Sequence, residues 1–168
     1  GESILPTPVI GALGLLKDVT LHMSIGFKKA GDVVILLGVK EVHGNPSDLA
    51  GSELLDLCHG LVVGKPKINI DNEVSVQRTC RRLIEEELIN SAHDCSDGGL
   101  AIALVECCIS GGMGFLGDFK IRGRWDAALF GENQSRIIVS ISPETLLSVK
   151  RICRQEGVSW AMLGHTGS

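Results

Sequence analysis

The run Asp32-Val33-Val34-Ile35-Leu36-Leu37-Gly38 constrains the fold more than any other stretch of the chain. Five consecutive aliphatic side chains bounded by glycines leave no polar face, so the stretch suits a fully buried strand. Its cover must be aliphatic, because aromatic residues make up only 4% of the chain and tyrosine is absent, while hydrophobic residues reach 44%. The 21 glycines are then expected at turns and close backbone approaches. A length of 168 residues fits one domain with a core of its own. The apolar content excludes disorder, and the lack of a Gly-X-Y period excludes collagen-like order. No apolar run is long enough to span a bilayer, and Gly1-Glu2-Ser3 lacks the basic start of a signal peptide. With a net charge of −4, nothing favours nucleic acid or an anionic membrane as a partner. A soluble globular domain is the expectation.

Periodicity and punctuation predict the elements. Leu5-Pro6-Thr7-Pro8-Val9-Ile10-Gly11 reads as extended linker. Strands are expected at Val19–Met23 and Asp32–Gly38, then a short helix at Gly51–Cys58 with Ser52 as its cap. Val76, Cys80, Leu83, Ile84 and Leu88 recur at helical spacing and predict a helix over Asp71–Asn90, capped by Asp71. A second helix, Leu100–Ser110, ends at Gly111-Gly112. A strand at Arg136–Ile141 precedes a helix begun by Ser142 and Pro143 and running to Gln155, and Val158–Leu163 closes as a strand. Strands and helices interleave without a strict βαβ rhythm, which gives an α+β (mixed α/β) single domain, a mixed sheet packed by helices. The six cysteines form no CxxC pair, so zinc is not expected and a reduced, cytoplasmic protein is.

The candidate site is the segment His93-Asp94-Cys95-Ser96-Asp97-Gly98-Gly99 at the entrance of the second helix. Glycines there free backbone N–H groups and admit a ligand, and the helix dipole favours an anion, with phosphate the natural choice. Asp94, Ser96 and Asp97 add carboxylates and a hydroxyl, which suit Mg²⁺ bridging protein and phosphate. The bland alternative is a capped helix behind a tight turn. His93 is either a general base or a hydrogen-bonded structural residue, and Cys95 is a weaker candidate nucleophile. A second polar cluster, Glu132-Asn133-Gln134-Ser135-Arg136, either reads the polar atoms of a ligand or forms a solvated turn. Gly51-Ser52-Glu53 is explained by capping alone.

These segments resemble phosphoribosylformylglycinamidine synthase. The resemblance rests on Leu5–Gly11, Gly26-Phe27-Lys28 with Gly31-Asp32, Gly51-Ser52-Glu53, Ser91–Ala101, Leu129-Phe130-Gly131-Glu132 and Gly164-His165-Thr166-Gly167, in order along nearly the whole chain. It implies the C-terminal domain (15–168) of the second aminoimidazole ribonucleotide synthetase-like unit, preceded by an inter-domain linker (1–14). The family is an ATP-dependent, C–N bond-forming ligase and glutamine amidotransferase of purine biosynthesis. It makes formylglycinamidine ribonucleotide from formylglycinamide ribonucleotide, with Mg²⁺ and glutamine-derived ammonia: ATP activates the amide oxygen and ammonia displaces phosphate. By resemblance, Asp94 is a Mg²⁺ ligand, Ser96 through Gly99 bind the phosphates of ATP or ADP, and Glu132, Asn133 and Gln134 stand where substrate is touched in the first unit. No catalytic residue is carried over. The implied partners are the remaining synthetase domains and a glutaminase domain or subunit. The chain is expected to be a piece of a longer enzyme, inactive alone and prone to self-association through uncovered apolar surface. The alternative is a structural module that holds the pseudo-symmetric assembly together without a ligand.

Overall fold

In a computed structural model, which describes residues 9–16 and 18–167, the chain folds as a sheet covered by helices on both faces. The elements in order are β1 (Val33–Leu37), β2 (Val42–Gly44), a 3-10 turn (Pro46–Leu49), α1 (Glu53–His59), α2 (Ile70–Glu85), β3 (Ser91–Asp94), α3 (Gly99–Gly111), β4 (Phe115–Gly117), β5 (Ile121–Gly123), α4 (Trp125–Phe130), β6 (Ile137–Ile141), α5 (Leu146–Gln155) and β7 (Trp160–Thr166). The main sheet has the order β3-β6-β1-β7-β4 and is antiparallel throughout. Parallel pairing occurs in a separate two-stranded sheet, β2 with β5. The fold is therefore mixed α/β.

The apolar run is the central strand, flanked by β6 and β7. Its alternate side chains enter two different cores. Val33, Ile35 and Leu37 meet Val76, Cys80 and Leu83 of α2 and Val149, Ile152 and Cys153 of α5. Val34 and Leu36 meet Leu100, Ala103, Leu104 and Cys107 of α3 and Ala128 of α4. A continuous apolar strand in an antiparallel sheet is explained by this cover on both sides. The six cysteines are free thiols, four of them buried.

Several elements depart from expectation. Val19–Met23 is no strand: the Asp18 carboxylate accepts from both the backbone N–H and the hydroxyl of Thr20, and Leu21 N–H donates to Asp18 C=O, so a turn wins locally. Helix α2 stops at Glu85 rather than Asn90, because Glu87 adopts a left-handed conformation (φ 54°) that turns Leu88 N–H back onto Leu83 C=O. Its cap is Asn69, which accepts from Asn72 N–H, and not Asp71. Pro143 to Thr145 form a turn closed by Thr145 N–H on Ser142 C=O, and α5 begins only at Leu146. Strand β7 runs to Thr166, whose N–H and hydroxyl bond to Asp32 C=O and Lys29 C=O. Within the linker expected at 1–14, residues 9–14 are exposed and form neither helix nor strand; residues 1–8 lie outside the described residues.

Candidate functional site

Strand β3, an edge strand paired with β6, delivers Asp94 at its end, opposite Ile137. The next residue points inward: Cys95 is buried and its N–H donates to Arg136 C=O. Ser96 and Asp97 are exposed. Gly98 and Gly99 then take successive left-handed conformations (φ 74° and 69°) that turn the chain into α3. At Gly99 the need is also steric, since a Cβ would lie 2.5 Å from Gly131 C=O. The glycines therefore serve a tight turn and a close backbone crossing.

A cavity of about 440 Å³ opens beside this loop. Asp94, Ser96, Asp97, Glu132 and Gln134 line it together with Glu73 of α2. The two polar clusters read from the sequence thus meet at one place. Glu73, with its Oε2 accepting from Ser135 Oγ at 2.5 Å, was not singled out by the sequence. Its only signal is that it shares the helical face of the buried Val76 and Cys80, three and seven positions on.

The side chains divide by what they already hold. Glu132 Oε1 accepts from Gly98 N–H at 2.9 Å and from Glu53 N–H at 2.8 Å, so it joins the site loop to the start of α1. Gly99 N–H donates to Ser96 C=O. Two loop amides expected to face a phosphate are therefore already bonded within the protein. Ser52 sits at the N-cap of α1, but its hydroxyl donates to Leu49 C=O, and Glu132 takes the capping role instead. Arg136 is buried, and its guanidinium donates to Gly131 C=O and Asn133 C=O, binding its own loop; burial pushes it below the usual arginine range. Gln134 donates to Glu132 C=O at 3.3 Å and is exposed.

Asp94 is different. Its side chain is 71% exposed, and Ser96 Oγ donates to its Oδ2. That bond, more than any other influence, holds the carboxyl below the ordinary value of 3.8 and so keeps it anionic. His93, 13% exposed, is hydrogen-bonded through Nε2 to Glu106 Oε2 at 2.9 Å, while its Nδ1 lies 3.5 Å from Asp94 Oδ1 and makes no hydrogen bond among the described residues, an arrangement that suits a structural residue. Burial pushes the Cys95 thiol up to about 11, the opposite of what a nucleophile needs.

Among the described residues no three histidine, cysteine, aspartate or glutamate side chains converge on a point that could hold a metal. A closed, all-protein metal cage is thereby excluded there. Mg²⁺ has different requirements: one or two carboxylates, with water and phosphate oxygens completing the octahedron. An exposed, anionic Asp94 at the entrance of α3 fits that donor set.

Comparison with known proteins adds a sequence profile described as "AIR synthase related protein, C-terminal domain", which matches residues 29–168. The phosphoribosylformylglycinamidine synthase subunit PurL of Moorella thermoacetica is 40% identical over 166 residues, 98% of this chain and 22% of that relative. The same subunit of Caldanaerobacter subterraneus is 42% identical over 165 residues, again 98% of this chain and 22% of the relative. The chain thus spans about a fifth of the length of these curated relatives. Among solved structures, T. maritima PurL complexed with FGAR superposes with a TM-score of 0.70 at 19% identity, over 88% of this chain and 26% of that one. E. coli HypE, a hydrogenase maturation protein, superposes with a TM-score of 0.57 at 15% identity, over 86% of this chain and 46% of that one. At such identities the structural likeness concerns the fold.

Proposed function

The chain belongs to the family of AIR synthase related protein C-terminal domains, and from that premise we propose that it acts as one domain of a phosphoribosylformylglycinamidine synthase, contributing a Mg²⁺–nucleotide half-site. The observation that supports the parent activity most is identity of about two residues in five with PurL subunits across 98% of the chain. In that enzyme, formylglycinamide ribonucleotide, ATP and ammonia delivered by a glutaminase partner yield formylglycinamidine ribonucleotide, a ligase reaction of the cytoplasm. T. maritima PurL has been solved with ATP, with ADP and with FGAR.

For this domain's own part, Asp94 would hold Mg²⁺ and Ser96 would keep its carboxylate anionic and oriented. When bound, Mg²⁺ neutralises nucleotide phosphate oxygens. Ser96 and Asp97, beside the positive end of α3, would face those phosphates. Gly98 and Gly99 shape the turn, and Glu132 frames it from the protein side, so the substrate contacts considered for Glu132, Asn133 and Gln134 are not part of this reading. Of the described residues, Leu13, Leu15, Leu16 and Val19 before β1, and Ile109 of α3, are exposed apolar groups that suit contact with other domains of a longer chain.

One observation favours a second reading, a structural module without a ligand: Gly98 N–H and Gly99 N–H are both bonded within the protein. Calorimetric titration of Mg-ADP into the chain decides between the two. Binding that is lost on Asp94→Asn, Ser96→Ala substitution supports the half-site. Absence of binding, or binding equal in the variant, favours the structural module.

A further inference from the structure

Strand β7 keeps one edge open at its start. The β1–β7 ladder is antiparallel and sets Leu37 against Trp160, Leu36 against Ala161 and Ile35 against Met162. Gly38 N–H donates to Ser159 C=O, and in such a ladder alternate residues bond to the same neighbouring strand. Ala161 therefore faces β1, while the backbone N–H and C=O groups of Trp160 and Met162 point to the other side. On that side β4 pairs only with Gly164, His165 and Thr166, followed by Asp118 N–H on Leu163 C=O. The chain then diverges, because β5 pairs with β2 in a separate sheet. Among the described residues no strand covers residues 160–162 on that side, and a cavity of about 380 Å³ lies there instead.

Trp160, Met162, Phe119 and Val42 give this cavity apolar surface, and Lys40, Lys120 and Arg122 stand around it. Lys150 adds a further cation, 5.1 Å from the centre of the Trp160 ring. Glu41 pairs with Arg122 at 3.0 Å, and Asp118 lies exposed nearby in the chain. Lys40 and Lys120 are exposed and form no ion pair among the described residues. Positive charge is thus gathered at this edge in a chain whose net charge is −4. A bare edge offers donors and acceptors to any extended chain. Lysines beside it oppose pairing with an identical edge, since a second copy brings the same cations, whereas an acidic chain is attracted. We propose that residues 160–162 of β7 form a docking edge for an extended, acidic segment of a partner protein, which pairs as an added strand and sets carboxylates against Lys40 and Lys120. In this mode main-chain bonds supply affinity and the flanking side chains supply selectivity. Neither Asp94 nor its loop takes part.

The test titrates the peptide acetyl-Glu-Val-Glu-Val-Glu-amide into the 168-residue chain at low salt and follows backbone amide resonances by NMR. Shifts are expected to be largest at the amides of Trp160 and Met162. Two altered probes separate the sources of affinity. Methylating the peptide nitrogens removes the main-chain donors and should weaken binding about 10-fold. Replacing each glutamate of the peptide by glutamine removes its charge and should weaken binding about 3- to 10-fold. The double variant Lys40→Gln, Lys120→Gln, changed only at exposed side chains, should bind the glutamate and glutamine peptides nearly alike. The proposal is overturned if the glutamate peptide does not bind, if the largest shifts fall elsewhere, or if either altered probe binds as tightly as the first. It is equally overturned if the double variant keeps the full preference for glutamate. Binding of oligo(dT) at the same amides as tightly as the peptide would assign the edge to nucleic acid instead. Shifts of those amides with protein concentration alone would assign it to a second copy of the chain.

Discussion

Asp94–Gly99 and Gly131–Arg136 both contribute residues to the same cavity, and both combine carboxylate, hydroxyl and glycine. In Gly131–Arg136 the charged groups face the protein: Glu132 joins two backbone N–H groups, and Arg136 binds two carbonyls of its own loop. In Asp94–Gly99 the charge faces out, with Asp94 bonded to a neighbouring hydroxyl and otherwise exposed. Polar composition does not separate a frame from a binding surface. The separation comes from whether a charged group's partners are already supplied by the fold.

If the distinction holds, substitutions in the frame reduce stability and substitutions in the outward pair do not. The largest effect is expected for Gly99→Ala, where a left-handed backbone and a Cβ only 2.5 Å from Gly131 C=O combine. Conformational strain of about 1–2 kcal/mol and overpacking of about 1–3 kcal/mol should lower the urea midpoint steeply. Arg136→Met follows, at about 2–3 kcal/mol, from loss of charged-donor bonds in a buried setting. Glu132→Gln should cost about 1 kcal/mol, since an amide oxygen still accepts but without charge. Asp94→Asn should stay within about 0.5 kcal/mol of wild type at neutral pH. If Asp94→Asn proves as destabilising as Arg136→Met, the two loops are not different in kind.

The smallest effect concerns pH. Because the folded protein holds Asp94 below the ordinary 3.8, this group adds stability above that value and loses it as pH falls through the lowered one. Ser96→Ala removes the main cause, so the Asp94 carboxyl resonance should titrate closer to 3.8, and the stability difference between wild type and variant should be present in full at neutral pH and close as pH falls below 3.8.

Much of this was readable in the residues. The run Val33–Leu37 announced a fully buried strand, and glycines at 98, 99 and 112 marked both ends of α3. The loop proposed as the site stands out in the sequence by its motif. What was not readable depends on long-range partners. Ser91–Asp94 has the polar composition of a loop and becomes a strand by pairing with β6. Glu87 ends α2 in a conformation usually left to glycine or asparagine. Glu132 bonds to Gly98, 34 residues away, and to Glu53, 79 away, and no local pattern encodes either. Glu106 lies in a helix of otherwise small and apolar residues, and its role emerges only when the fold sets it beside His93.

The central claim, that Asp94 and its loop hold a divalent cation with nucleotide phosphate while the Gly131–Arg136 loop frames them, is tested most directly by NMR with Mn²⁺ substituted for Mg²⁺ in the presence of ADP. Paramagnetic broadening should be strongest at the amides of Asp94 through Gly98, weaker at Glu132, and absent from α5 on the opposite face of the sheet. Broadening spread over exposed carboxylates such as Glu85 and Glu144, with no maximum at Asp94, would contradict the account and leave the loop as a structural turn.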